Sequence, residues 1–416
     1  MTATAASVSP VHGGLSEPVN RIATSIDTGK ANASIEVDET DRTTLYRIAD
    51  GTLSPLTGPM GQADYDSVLA NGCIERDGKK WAWTIPIVLP VTDVEAKALA
   101  SGGVAVLNFG GEAFGTLEVE SVFDWDKQKF IEGVYGTERH DHPGAKLWLG
   151  DERTKLVGGT ITLKPFSDDR PFAGRVMSPS QTRPLIAEKG WEQSIAFQTR
   201  NPLHRAHEYA LVYGAEVILR DTGKKTGVVL NPLVGQLKGD DVPAATRMET
   251  YERLVEGRFL GEGDKDEELW SGKGQDLNDQ LELIGLDMRM YYGGPAEAVM
   301  HAIYRQNLGF THFIIGRKHA DAPFEDKTPI WGDFDAQEIF DKLGGDLAIK
   351  TVNVGFAAYF EELGKVGLVE ENKDKTMVSI SGTKVREQLV NGDKPDPRIM
   401  RESTAEVLVG FYATKN

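Results

Sequence analysis

His204 and His207 stand three residues apart and follow Arg200 in the stretch S-I-A-F-Q-T-R-N-P-L-H-R-A-H-E-Y-A, residues 194–210. Two imidazoles and a guanidinium this close together suit chemistry on anions, because each can donate N–H groups to oxygen. Ser194 to Phe197 alternates and ends apolar, which predicts a short buried strand. Asn201-Pro202 predicts a helix start, Asn as N-cap and Pro at the first helical position. On that helix His204 and His207 share one face. Gln198, Thr199 and Arg200 then form the loop between strand and helix. A helix N-terminus offers unpaired N–H groups and partial positive charge, which suit phosphate or sulfate. The spacing of the histidines alone fits a plain strand–turn–helix with surface imidazoles equally well.

A second segment has the same logic. Residues 312–323 read H-F-I-I-G-R-K-H-A-D-A-P, a buried strand that runs into Gly316, Arg317, Lys318, His319 and Ala320. Ligands of open α/β sheets bind just past the carboxyl ends of strands, so Arg317 and His319 fall where a ligand belongs. Lys318 is expected to face solvent, because neighbours on an extended segment point to opposite sides. A third segment, I-S-G-T-K-V-R-E at 380–387, predicts a helix capped by Ser381 or Thr383.

The elements that must hold these residues change character along the chain. Residues 1–20 read as a flexible tail. From about 40 to 165 short strands are expected at 84–89, 104–109, 116–123 and 160–163, a β-rich domain. Pro86 and Pro90 place the first of these near an edge. From Trp191 strands and helices alternate, the pattern of a parallel α/β sheet. Strands are expected at 194–197, 227–230 and 312–315, and helices at 202–220, 244–257 and 295–308. Gly309 suits the C′ position after the last helix. Residues 261–279, rich in Gly and Asp, lack apolar periodicity and read as an exposed, mobile acidic excursion. A small third subdomain over 346–416 holds a strand at 347–354 and a helix at 383–390.

The chain has 416 residues, 40% hydrophobic and 26% charged, which suggests two or three globular domains. Its net charge of −17 argues against general affinity for nucleic acid or anionic membranes. Cys73 is the single cysteine, so neither an internal disulfide nor a Cys-rich zinc site can form. No apolar run approaches the ~18–20 residues that span a bilayer, and the N-terminus has no secretory pattern. A cytoplasmic location is expected.

The string Q-T-R-N-P-L-H-R-A-H resembles the signature of ATP sulfurylases, and its H-x-x-H is similar to the phosphate-binding turn of the wider nucleotidylyltransferase superfamily. G-R-K-H-A resembles the family's G-R-D-H-A-G-P, with Lys318 in place of Asp and Asp321-Ala322-Pro323 in place of Gly-Pro. I-S-G-T-K-V-R resembles a segment of the family over the triphosphate. L-S-P-L-T-G (53–58), W-T-I-P-I-V-L (83–89), N-P-L-V-G-Q-L-K-G-D-D (231–241) and M-R-M-Y-Y-G-G-P-A-E-A-V-M-H-A-I (288–303) extend the resemblance from about residue 50 to 395. It is to the form without a kinase-like C-terminal domain. The fold implied is α/β: a PUA-like domain over 21–180, a Rossmann-like nucleotidylyltransferase domain over 181–345 and the C-terminal subdomain.

The reaction implied is the reversible conversion of ATP and sulfate to adenylyl sulfate (APS) and pyrophosphate, by direct in-line attack of sulfate on the α-phosphate. It joins two anions, so it calls for positioning and positive charge more than for a base. The resemblance implies catalytic roles for Thr199, Arg200, Asn201, His204, His207 and Arg317. It implies sulfate binding by Gln198, Arg200 and Ala320. ATP would meet Gln198, Thr199, Arg200, Asn201, His204, His207, Gly316, Arg317, His319 and Ala357. Magnesium would arrive with ATP and take no assigned protein ligand; no zinc is expected. A homo-oligomer, a dimer, is implied. Three other readings stand beside this one: a nucleotidylyltransferase for a phosphate-bearing acceptor, a nucleotide- or oxyanion-binding homologue of reduced activity, and an RNA-binding module.

Overall fold

Buried β-branched and aromatic runs build the sheet that carries the site. The computed structural model describes residues 7–99, 101–167, 171–235, 242–379 and 381–414. Its strands are β1 Ala31–Glu36, β2 Cys73–Arg76, β3 Lys79–Ala82, β4 Leu89–Val91, β5 Val104–Phe109, β6 Glu112–Asp124, β7 Lys155–Leu163, β8 Gln193–Thr199, β9 Thr226–Pro232, β10 Leu281–Leu283, β11 His312–Gly316, β12 Lys350–Val354, β13 Ala357–Phe360, β14 Lys365–Leu368 and β15 Met377–Val378.

The second half holds a parallel sheet in the order β10-β9-β8-β11-β12. Ile195, Phe197, Val228, Leu230 and Ile314 pack on one face against Leu211, Val212 and Met248. Ala196, Val229, Phe313 and Ile315 pack on the other against Ile186, Ala298 and Ala302. Both faces are covered, which is why 195–197, 228–230 and 313–315 are continuous apolar runs, 195–197 included although Ser194 to Phe197 reads as an alternation in the sequence. The helix Arg205–Thr222 approaches so closely that a Cβ on Gly214 would lie 2.8 Å from Ile195 and 2.9 Å from Ile314. The helices Ala244–Glu256 and Gly294–Asn307 match their expected spans within one residue. Gly309, at φ +97°, follows the C-cap Leu308 as expected.

The first half forms a mixed sheet in the order β1-β5-β6-β7-β4, with β1 parallel to β5 and the other pairs antiparallel. Residues 104–109 form β5 as expected; 116–123 and 160–163 lie inside the longer β6 and β7. The expected strand at 84–89 does not form. Thr84 Oγ1 instead donates to the carbonyl of Ala296 at 2.5 Å, and Ile85 and Ile87 sit in a core shared with Val299, Met300 and Ile303. Only Leu89–Val91 pairs, as an edge strand that tolerates Pro90.

Two further expectations fail. The described part of the tail is packed: Val11 and His12 are buried, and His12 Nε2 bonds the carbonyl of Ala82 at 2.9 Å. The acidic segment 261–279 is folded, with a helix Glu267–Gly272 and with Asp264, Trp270 and Leu277 buried. Composition missed it because a few anchors outweigh many solvated charges. The last part holds the sheet β14-β13-β15 and helices Gly382–Val390 and Glu402–Ala413. Ser381, not Thr383, caps the first of these. The strand expected at 347–354 begins at Lys350.

Candidate active site

Strand order places the two polar segments side by side. β8 lies between β9 and β11, and the chain leaves it toward β9 and returns later to β11. This is the point where strand order reverses, and in open α/β sheets such a point forms a crevice beyond the carboxyl ends. Gln198 and Thr199 end β8, and Gly316 ends β11.

The loop after β8 is pinned by its own polar groups. Thr199 Oγ1 donates to the Asn201 carbonyl at 3.0 Å, and Tyr251 Oη donates to the same carbonyl at 2.7 Å. Asn201 is exposed and is not the N-cap. The helix starts at Arg205, with His204 as N-cap at φ −108° and ψ 164°. A tertiary contact moves the start: the Arg205 N–H bonds the carbonyl of Ile399 at 2.8 Å, and Leu203 is buried, so Pro202 to His204 stay outside the helix. His204 and His207 still meet, with ring centroids 3.7 Å apart and stacked. Burial pushes the His204 imidazole down to about 4 and His207 well below its usual value, the neighbouring His204 adding to the second effect. Both rings are therefore neutral near pH 7, and each has one N–H to donate. Arg200 Cζ lies 5.3 Å from the ring centre of Tyr292.

The segment after β11 is a turn, not an extended run. Lys318 and Ala320 have φ of +52° and +55°, and Tyr292 across the crevice has +56°. Three non-glycine residues in this region mark a backbone held by its surroundings. Because of the turn, Lys318 does not oppose Arg317: both bond Asp333, at 3.3 and 2.8 Å. Arg317 also lies over the half-exposed ring of Phe356, 5.0 Å from its centre. Ala357, next in sequence, opens β13 and is buried. The Ala320 carbonyl accepts the N–H of Gly294 at 3.2 Å.

Two residues of the 288–303 segment, not named individually from the sequence, join the two loops. Glu297 and His301 are buried on the helix Gly294–Asn307. The Glu297 carboxylate accepts the N–H of Tyr291 at 2.9 Å and of Gly293 at 3.0 Å. Burial raises it to about 7 against those two bonds and the positive influence of His319 and Arg200. His301 Nε2 is 3.3 Å from Glu297 and 3.2 Å from Gln198 Nε2, and His301 Nδ1 is 3.0 Å from His319 Nε2. Gln198 and His319, from the two polar segments, thus meet through His301. The signal was the i,i+4 spacing of Glu297 and His301, though spacing says nothing of burial. A separate cleft of about 320 Å³, lined by Phe166, Val234, Asp287, Arg289 and Met290 among others, shares only Tyr292 with the residues named above. Among the described residues no group of three or more His, Cys, Asp or Glu could hold a metal ion. Residues 236–241 of the 231–241 segment, and Ile380, lie outside the described residues.

Comparison with known proteins gives the same picture. A family model described as ATP-sulfurylase matches residues 174–410, and one described as PUA-like domain matches residues 9–165. The chain is 67% identical over 414 residues to a sulfate adenylyltransferase of Pyropia yezoensis, covering 99% of each chain. It is 36% identical to a sulfate adenylyltransferase of Deinococcus radiodurans, covering 91% of this chain and 89% of that one. Among solved structures, a hexameric APS kinase from Thiobacillus denitrificans matches with a TM-score of 0.70 and 18% identity, over 96% of this chain and 68% of that one. That likeness is one of fold.

Proposed function

We propose how the crevice works from the premise that this chain belongs to the ATP sulfurylase family and is a sulfate adenylyltransferase, an enzyme that joins sulfate to the adenylyl group of ATP with release of pyrophosphate. The observation that carries the proposal is the pairing of two cationic loops, after β8 and after β11, across one strand-order reversal.

In this reading Arg200 binds sulfate through its planar fork of donors, with the Gln198 amide and the Ala320 N–H beside it. Thr199 and its bond to Asn201 set the loop so that Asn201 meets the α-phosphate. Sulfate attacks the α-phosphorus in line with the departing pyrophosphate. No base is required, since sulfate has no proton to lose at neutral pH. His204 and His207, neutral at rest, donate N–H groups to phosphate oxygens as charge moves onto the leaving group. Arg317 exchanges Asp333 for the α/β-bridge region of the triphosphate. Gly316, His319 and Ala357 line the nucleotide.

Magnesium enters as part of the nucleotide substrate, held by phosphate and water. The working form is read as a homodimer in the cytoplasm; no helix among the described residues is long and apolar enough to cross a membrane. The test is pyrophosphate release from ATP with sulfate, with and without Arg200. Arg200→Ala is expected to lower turnover by about 10²–10³-fold while the fold is kept. A folded variant retaining more than half of wild-type turnover overturns the assignment.

A further inference from the structure

With Glu297 ionised, the contacts around Gln198 contain a conflict that has one chemical resolution. Gln198 Nε2 faces His301 Nε2 at 3.2 Å, and Gln198 Oε1 is buried without a partner. An amide donor so placed requires a bare His301 Nε2. That same nitrogen lies 3.3 Å from a Glu297 oxygen. The two Glu297 oxygens already accept backbone N–H groups, so the carboxylate presents further lone pairs toward His301. A bare nitrogen facing those lone pairs is repelled; an N–H there is bound. With His301 Nε2 protonated, the Gln198 amide must turn over and offer Oε1 to it. The NH₂ group then takes the position of the unpartnered Oε1.

We propose that Glu297 and His301 are positioning residues that hold the Nε2–H tautomer of His301 and thereby turn the donor end of the Gln198 amide toward the sulfate. The proposal rests on the sulfate-binding reading of Gln198 and goes past it, because it says which end of the amide faces the anion and what fixes it. A carbonyl oxygen in that place would repel sulfate and, being buried, stay unsatisfied. The same tautomer leaves His301 Nδ1 bare, so it accepts from His319 Nε2–H across the 3.0 Å contact. One carboxylate thus sets the polarity of three side chains: His301, Gln198 and His319.

Two measurements test this. Nitrogen-15 NMR of the intact wild-type chain, with the His301 signals assigned by their loss in His301→Gln, is expected to show His301 neutral with its proton on Nε2; a proton on Nδ1 overturns the proposal. Steady-state kinetics supply the second. His301→Leu removes the donor and is expected to raise the KM for sulfate tenfold or more while the KM for ATP moves less than threefold. His301→Gln, whose Nε2 can stand where the imidazole Nε2–H stood, is expected to recover most of the sulfate affinity. Equal losses toward sulfate and ATP, or no recovery with Gln, would mark a merely structural role and overturn it. If wild-type enzyme releases no pyrophosphate with sulfate, the parent reading falls, and the tautomer still decides the arrangement. If His301→Leu does not fold, the wild-type tautomer decides it alone.

Discussion

The Arg317 guanidinium lies 2.8 Å from the carboxylate of Asp333. Arg317 is thus paired with an internal anion. On the proposed reading, in which Arg317 meets the triphosphate, ATP would have to displace that carboxylate.

Asp333→Asn is expected to tighten ATP binding. The pair is about 40% exposed on both sides, and pairs so open to water are weak. The KM for ATP should fall, by less than about fivefold, with turnover little changed. A KM that stays constant or rises shows that Asp333 does not compete.

Lys318→Asp restores the residue usual in the family but places it in a different setting. Asp333 would lose one of its two cations and gain a like charge beside it. Arg317 would then have two carboxylates to choose between and would be released to ATP less readily. The KM for ATP is expected to rise more than threefold. A smaller change would show that the Lys318 contact with Asp333 has no bearing on the site.

His204→Ala and His207→Ala are expected to lower turnover more than they weaken ATP binding, because neutral imidazoles gain most when charge develops. The stacking at 3.7 Å couples them, so the double variant should lose less than the product of the two single losses. Steady-state and single-turnover kinetics separate these cases. A pure rise in the ATP KM would assign the rings to ground-state binding.

Asp264→Ala should destabilise the site from outside. Asp264 is buried and takes Arg205 Nε at 2.9 Å and Nη2 at 2.6 Å, and it accepts the Val366 N–H at 2.8 Å. Removing it strands a partly buried guanidinium at the start of the His207 helix. Breaking a pair of this kind costs about 3–5 kcal/mol. Urea unfolding gives the number; a loss under 1 kcal/mol would mean that Arg205 finds another partner.

Stability is expected to fall as pH drops from 6.5 toward 4. Burial lowers His12 to about 4, against a smaller opposing effect of its bond to Ala82. Between 6.5 and 4 the unfolded chain binds a proton that folded His12 refuses, so stability rises with pH there and the penalty is complete below 4. The span corresponds to roughly 3 kcal/mol for this one group. His204 adds in the same direction. Glu297 acts oppositely: raised to about 7, it favours the fold below 4.5 and loses that contribution as pH rises through 7. Urea midpoints at pH 7.5, 6 and 5 should show a shallower fall in His12→Gln. An unchanged slope would remove His12 as a cause.

By itself the sequence determined the elements whose side chains are buried on both faces. The runs at 194–197, 227–230 and 312–315 could be read because a parallel strand under two helical layers has to be continuously apolar. The positions of Arg200, Arg317 and His204 just past strand ends or at a helix start could be read because strand and helix signals flank them. Tertiary structure decided the rest. It moved the helix start from Pro202 to Arg205, because Ile399, nearly two hundred residues away, offers a carbonyl to the Arg205 N–H. It folded the acidic segment, because Asp264 found Arg205 and Trp270 found the core. It brought Lys318 onto Asp333, because a turn with positive φ replaced the extended run that spacing implies. And it joined Gln198, His301 and His319, drawn from β8, a helix and the turn after β11. Local patterns record what each segment must bury; which buried polar groups meet depends on how the segments are stacked, and no spacing along one of them carries that information.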